Sequence, residues 1–346
     1  MSVSILKAAV WMPDGFEDAA YIANAADLPF DVVKNKMGII RKCRAPRDLH
    51  PAQMAINAGK EVLEGIDLDS IDVLIWTGSE YKDHIVWSAG IHVQEALNLK
   101  KAWAFDIGAR CSNKVVGIKI ATALINSDKK INRVLLIGGH KTGDLVNYKD
   151  PNTRFLFNLS DGASAMIIER GDTNPIGDTE IITNGSFSMD VILPAGGTKI
   201  RSRDEIKFQD TFLQVQDIAG MRDRLEKYSI NNFKKVITDS TKSFAGKIDY
   251  LALLHMKRSA HDEIVKISGI SPEQSIYLDH FGHFGAPDQP LSIALAEREE
   301  KLKAGSVVCL ASAGIGYTWS AVCFRWNKNI FSTNNIKHIE TIGGLK

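Results

Sequence analysis

No two cysteines of this chain stand in a C-x-x-C spacing. The four present, Cys43, Cys111, Cys309 and Cys323, are too few and too irregularly placed for a disulfide framework. A disulfide-stapled secreted scaffold and a zinc ribbon are both excluded, and neither a metal nor a bound cofactor is expected. Net charge is also lacking. The formal value is +1 at pH 7, so no global field draws the protein toward nucleic acid or an anionic membrane. No run approaches the roughly 18 uninterrupted apolar residues of a membrane span. The segment from Ser4 to Met12 has no basic stretch before it and runs into Pro13-Asp14-Gly15. It reads as a first strand and turn, not as a signal peptide. A reducing, cytoplasmic setting fits these exclusions.

What is present is ordinary globular material in an ordered pattern. The 346 residues are 45% apolar and 24% charged, enough for two domains or one large duplicated core. Apolar runs at 71–77, 102–107, 133–139 and 163–169 alternate with helical patterns at 88–97 and from 113 onward. Strands this apolar imply an α/β sheet covered on both faces. The pattern then repeats. The run 248–254 echoes 71–77, 306–311 echoes 133–138, and 319–324 echoes 163–168. A duplicated α/β unit is the economical explanation, with one half at 1–170 and the other at 171–346. Residues 171–245 are more polar and read as a joining region with insertions.

Cys111 sits at a strand-to-helix junction in Ala104-Phe105-Asp106-Ile107-Gly108-Ala109-Arg110-Cys111-Ser112-Asn113. A thiol at a helix start meets unpaired N–H groups and the positive end of the dipole, both of which favour thiolate, the nucleophilic form. Three further segments lie where strands should end: Leu254-His255-Met256-Lys257-Arg258, Asp279 to Asp288, and Gly314-Ile315-Gly316-Tyr317-Thr318-Trp319. Sheets of this class place ligands at such ends. Taken singly, a His at a strand end is ordinarily structural and a Gly-x-Gly is ordinarily a turn. Together they suit acyl transfer: a cysteine that forms an acyl-enzyme, imidazoles that move protons, and a glycine-lined turn that brings N–H groups to an oxyanion.

At these residues the chain resembles the thiolase-fold condensing enzymes, specifically β-ketoacyl-acyl-carrier-protein synthase III and its relatives. Phe105 to Cys111 resembles the nucleophile segment, Ser160-Asp161-Gly162-Ala163 the strand entry, and Gly314 to Ser320 the C-terminal glycine loop. The resemblance implies a five-layered α-β-α-β-α core, a homodimer, and an acyl-CoA or acyl-carrier-protein thioester as substrate. It implies that Cys111 takes the acyl group, that the N–H groups of Cys111 and Ile315 form the oxyanion hole, and that His255 assists condensation. Lys36 matches a basic position that meets coenzyme A, and Lys257 and Arg258 join Lys36, Gly314 and Gly316 as candidate substrate-binding residues.

The departures from the family pattern carry information too. The usual His-Gln-Ala-Asn is His255-Met256-Lys257-Arg258, and the usual Gly-Asn-Thr-Ser is Gly282-His283-Phe284-Gly285. Asparagine can only hydrogen-bond, whereas His283 can also carry a proton near neutrality. Asp288, five residues on, would orient it, completing a nucleophile–base–orienter triad. Two other readings stay open. Glu80, in Gly78-Ser79-Glu80, resembles the catalytic carboxylate of hydroxymethylglutaryl-CoA synthases. A non-catalytic partner subunit of a thiolase-fold complex is the alternative from another class.

Overall fold

The computed structural model describes residues 2–200 and 203–345. Nine strands build its two main sheets. The first holds β1 (Val3–Trp11), β2 (Val73–Trp76), β3 (Trp103–Asp106), β4 (Arg133–Lys141) and β5 (Asp161–Arg170), in the order β1-β5-β4-β2-β3. The second holds β6 (Ile176–Thr183), β7 (Tyr250–Leu253), β8 (Ser306–Gly314) and β9 (Thr318–Trp326), in the order β7-β8-β9-β6.

The two sheets share one pattern of pairing. β5 lies antiparallel to β1 and β4, and β2 runs parallel to β4. In the same way β9 lies antiparallel to β6 and β8, and β7 runs parallel to β8. The three apolar runs that echo one another in sequence therefore occupy equivalent places in the two sheets. The duplicated core is real.

Strand alternation assigns the layers. On β4, Leu135 and Ile137 face outward against α1 (Pro51–Leu63), through Met54, Ala55 and Val62. Val134 and Leu136 face inward, onto α2 (Asn113–Ser127). From the other sheet Val308, Leu310, Val322 and Phe324 close on the same middle layer. The outer face of the second sheet is covered by α3 (Ile218–Ser240), with Phe233, Val236 and Ile237 against Leu253, Cys309 and Ala321. The second middle helix, α4 (Asp288–Arg298), is buried from Asp288 to Ala296, as a helix between two sheets must be.

The stretch 171–245 holds more structure than its polarity suggests. It supplies the edge strand β6 and all 23 residues of α3. The reason is exposure. Only one residue of β6 is buried, and α3 buries only Met221, Phe233, Val236, Ile237 and Ser240, so both carry the composition of a surface. No helix is long and apolar enough to cross a membrane among the described residues.

Candidate active site

The carboxyl ends of β2, β3, β4, β7 and β8 converge at the middle layer, and the site is assembled there. After β3 the chain makes a sharp turn into a single 3-10 turn, Arg110–Ser112, before α2 begins. Arg110 takes φ +54°, a left-handed conformation that costs a non-glycine residue about 1–2 kcal/mol. The turn is tied to both halves of the molecule. Asn113 accepts from the Ala109 N–H at 2.5 Å and donates to the Gly78 carbonyl at 2.8 Å. Ser312 of β8 donates to the Cys111 carbonyl at 2.7 Å, and the Ser112 hydroxyl donates to the Thr318 carbonyl at 3.1 Å. Cys111 is partly exposed, whereas Cys43, Cys309 and Cys323 are buried. Burial pushes the Cys43 thiol up to about 12, which leaves it inert.

His283 comes from the second half of the chain and reaches the sulfur. Its Nε2 lies 3.0 Å from Cys111 Sγ, and its Nδ1 lies 2.5 Å from Asp288 Oδ2. The backbone of His283 is held at both ends: its N–H donates to the Asn158 carbonyl at 2.7 Å, and its carbonyl accepts from Ser160 at 2.9 Å. Gly282 and Gly285 bracket the residue at φ +79° and +77°, a conformation glycine adopts freely. Burial opposes charge on this ring, but the Asp288 carboxylate and the Cys111 sulfur overcome it and raise its pKa well above the ordinary 6.5.

Asp288 holds one ring and two backbone N–H groups. Fully buried at the start of α4, its Oδ1 accepts from the Phe284 N–H at 3.0 Å, and its Oδ2 also accepts from the His255 N–H at 2.8 Å. The helix N-terminus adds its own stabilisation of the negative charge.

His255 is placed differently from His283. Its Nε2 donates to the Gly38 carbonyl at 3.2 Å, and its Nδ1 accepts from Asn158 Nδ2 at 3.0 Å. Both ring nitrogens are thus engaged by protein, which fixes one neutral tautomer. Burial lowers its pKa to about 3. The ring lines the cavity beside Cys111, but the structure aims neither nitrogen at the sulfur.

Cys111, His255 and His283 open on a cavity of about 1470 Å³. Its lining includes the apolar Val191, Ile192, Leu193, Leu213, Leu225 and Phe233 and the basic Lys36, Arg47, Arg154 and Lys257. Ile315 also lines the cavity. Gly314 packs on the nucleophile turn, where a Cβ would stand 2.6 Å from the Ala109 carbonyl oxygen and 3.2 Å from the Cys111 nitrogen. Gly316 takes φ +128° with open space beside it. Arg258 is directed elsewhere: it stacks on Tyr277, 3.6 Å from the ring centroid, and pairs with Asp279 at 3.2 Å. Glu80 lines the cavity, but its carboxylate is held by Arg110 at 2.8 Å.

Sequence reasoning missed the groups that hold these residues. Asn158 fixes the His255 ring, and Ser312 fixes the Cys111 carbonyl. Asp161, fully buried, accepts from Arg44 at 2.6 Å and from the N–H groups of Ala45 and Gly143 at 2.8 and 2.9 Å. The Ser160-Asp161-Gly162 motif was the available signal for the last of these, since a carboxylate entering a buried strand needs partners. Among the described residues no group of three His, Cys, Asp or Glu could hold a metal ion.

Two family models match the chain. 3-Oxoacyl-[acyl-carrier-protein] synthase III matches residues 105–185, and its C-terminal counterpart matches residues 241–326. The chain is 26% identical over 337 residues to a β-ketoacyl-[acyl-carrier-protein] synthase III of Syntrophomonas wolfei, covering 95% of this chain and 99% of that one. It is 29% identical over 305 residues to one from Solibacter usitatus, covering 85% and 89%. Among solved structures, the 3-oxoacyl-[acyl-carrier-protein] synthase III of Aquifex aeolicus superposes with a TM-score of 0.80 at 21% identity, covering 93% and 99%. Xanthomonas campestris OleA, solved with lauric acid and lauroyl-CoA, superposes with a TM-score of 0.77 at 18% identity, covering 94% and 99%. The nucleophile segment and the glycine loop fall inside the matched regions, on a sheet architecture the neighbours share. The chain is a synthase-III-like enzyme of the thiolase fold, an acyltransferase of the condensing-enzyme type.

Proposed function

We propose that this enzyme takes an acyl group from a coenzyme A or carrier-protein thioester onto Cys111 and passes it to an acceptor, in fatty-acid or polyketide-like metabolism. The observation that carries this reading is the continuous line of contacts from Cys111 Sγ to His283 Nε2 at 3.0 Å, and from His283 Nδ1 to Asp288 at 2.5 Å. The thiol proton passes to His283 as sulfur attacks the thioester carbonyl. The carbon–sulfur bond of the donor then breaks, and the departing thiolate takes that proton. In the second half, His283 accepts a proton from the acceptor while the acyl–Cys111 bond breaks. Asp288 holds the ring and stabilises its charged form.

The N–H groups of Cys111 and Ile315 supply the oxyanion hole in this reading. The apolar lining takes the acyl chain, and Lys36 and Lys257 meet the donor's phosphates. The enzyme works as a cytoplasmic homodimer and needs no cofactor beyond its thioester substrate. His255, with both nitrogens occupied, acts through the geometry of the site and not as a proton carrier. Arg258, stacked on Tyr277, is the weakest of the substrate-binding assignments. The Glu80-based condensation is disfavoured because Arg110 already occupies that carboxylate.

The test is incubation with acyl-coenzyme A donors of graded chain length, followed by intact mass. An adduct of one acyl group is expected in the native chain and none in Cys111→Ala. No adduct with any donor would refute the reading. Loss of turnover in Glu80→Ala with normal acylation would favour the Glu80 mechanism instead.

A further inference from the structure

Two hydroxyl groups on the cavity wall have no part in the mechanism above. Tyr317 lies in the turn between β8 and β9, is partly exposed, and lines the cavity together with Cys111. Its phenol has no hydrogen-bond partner among the described residues. Ser229, on α3, lines the same cavity. Its oxygen accepts from Trp319 Nε1 at 3.5 Å, and its own hydrogen has no acceptor among the described residues. Each group therefore has an O–H left to donate.

The wall around them is apolar and is shared with the nucleophile. Cys111, Leu225, Met256 and Tyr317 pack against the cluster that holds Phe233 and Leu254, and all six line the cavity. The phenol is held in place. Its ring stacks on Trp319, with 5.5 Å between centroids, and meets Phe187 at 4.9 Å. Its backbone exchanges two hydrogen bonds with Asn184, at 3.0 and 3.3 Å. The next carbonyl, that of Thr318, accepts from Ser112 at 3.1 Å, which ties the turn to the residue after the nucleophile. The Trp319 ring that stacks on the phenol also bonds Ser229, so one indole places both hydroxyls. Burial, with the charges of Cys111 and Asp190, raises the phenol's pKa above its ordinary 10, so it stays a neutral donor at working pH. Asp190 itself is paired with Arg224.

We propose that Tyr317 and Ser229 form a subsite for an oxygen atom on the acyl chain, and that the donor is a hydroxyacyl thioester. A hydroxyl oxygen on the chain has two lone pairs and accepts from both groups at once. A plain methylene at the same place strips water from the two hydroxyls and returns no hydrogen bond. In an apolar pocket a few fixed donors of this kind set the orientation and identity of the ligand. The subsite selects the acyl group and leaves the chemistry at Cys111, His283 and Asp288 as described.

This proposal rests on the acyl-Cys111 reading, and the experiment separates the two. The native enzyme is offered octanoyl-coenzyme A mixed with an equal concentration of racemic 3-hydroxyoctanoyl-coenzyme A, and in a second mixture with racemic 5-hydroxyoctanoyl-coenzyme A. The competing adducts on Cys111 differ by one oxygen in mass, so their ratio at early times reads the specificity directly. The hydroxyacyl adduct is expected to exceed the octanoyl one by about five- to tenfold in at least one mixture, the worth of one neutral hydrogen bond. In Tyr317→Phe, which keeps the ring against Trp319 and Phe187, that ratio should fall toward one. Ser229→Ala should lower it part of the way. A native ratio of one or below in both mixtures overturns the proposal and leaves the acyl-enzyme standing, as does a ratio that survives Tyr317→Phe. Absence of an adduct from all three donors sinks the acyl-enzyme reading and this one with it.

Discussion

Asp288 is the residue on which the site's geometry turns, since one buried carboxylate fixes the His283 ring and the backbones of Phe284 and His255. Asp288→Asn keeps the shape but offers the wrong hydrogen-bonding partner to Nδ1. Single-turnover acylation of Cys111 at pH 7 should slow by about 10²–10⁴-fold. Lys114 makes a contrasting case. It is fully buried on the first turn of α2, and desolvation lowers its pKa to about 7. Between pH 7 and 10.5 the unfolded chain holds more protons at this position than the folded one. Stability from this group therefore rises with pH across that window and is flat at its lowest below it. Lys114→Met should stabilise the fold by on the order of 2 kcal/mol at pH 7 and remove this pH dependence, as chemical denaturation at several pH values would measure. Cys111, His283 and Asp288 were legible in sequence because each lies in a short segment with its own turn chemistry. Lys114 and Asn158 were not, because their meaning depends on partners 37 and 97 positions away.

At the scale of elements, the strands were legible where both faces are buried and obscure where one face is wet. β4 and β5 read as continuous apolar runs. β6 and α3 did not, because most of their side chains face solvent. The segment between Phe281 and Ala286 shows how a short irregular stretch becomes precise: two positive-φ glycines and a paired backbone bring His283 to the sulfur. Gly285→Ala should destabilise the protein by about 2 kcal/mol in thermal or chemical unfolding. It should also displace the His140 ring, which a Cβ would meet. The entry to β5 is a second such element. Arg44 joins Asp161, Asp144 and Glu17, at 2.6, 2.7 and 3.2 Å. Arg44→Met leaves the buried Asp161 without its counter-charge and should cost about 3 kcal/mol.

For the whole molecule, the middle layer decides cooperativity. α2 and α4 touch both sheets through one apolar cluster, so neither half has a complete core alone. Ile118→Ala, at the centre of that layer, should cost about 3 kcal/mol. Tryptophan fluorescence and far-ultraviolet dichroism should still fall together in one transition. Separate transitions would show the halves to be independent.

The amino-acid order by itself determined the duplicated strand pattern, the nucleophile's place at a helix start, and the His283–Asp288 pair five residues apart. These are local or periodic properties, set by side-chain alternation and turn chemistry within short windows. Only the tertiary structure decided which imidazole meets Cys111, that His255 has both nitrogens occupied, and that Arg110 is paired with Glu80. Those outcomes depend on packing between segments from opposite halves of the chain, and no local pattern specifies which of two rings a folded core will turn toward a sulfur.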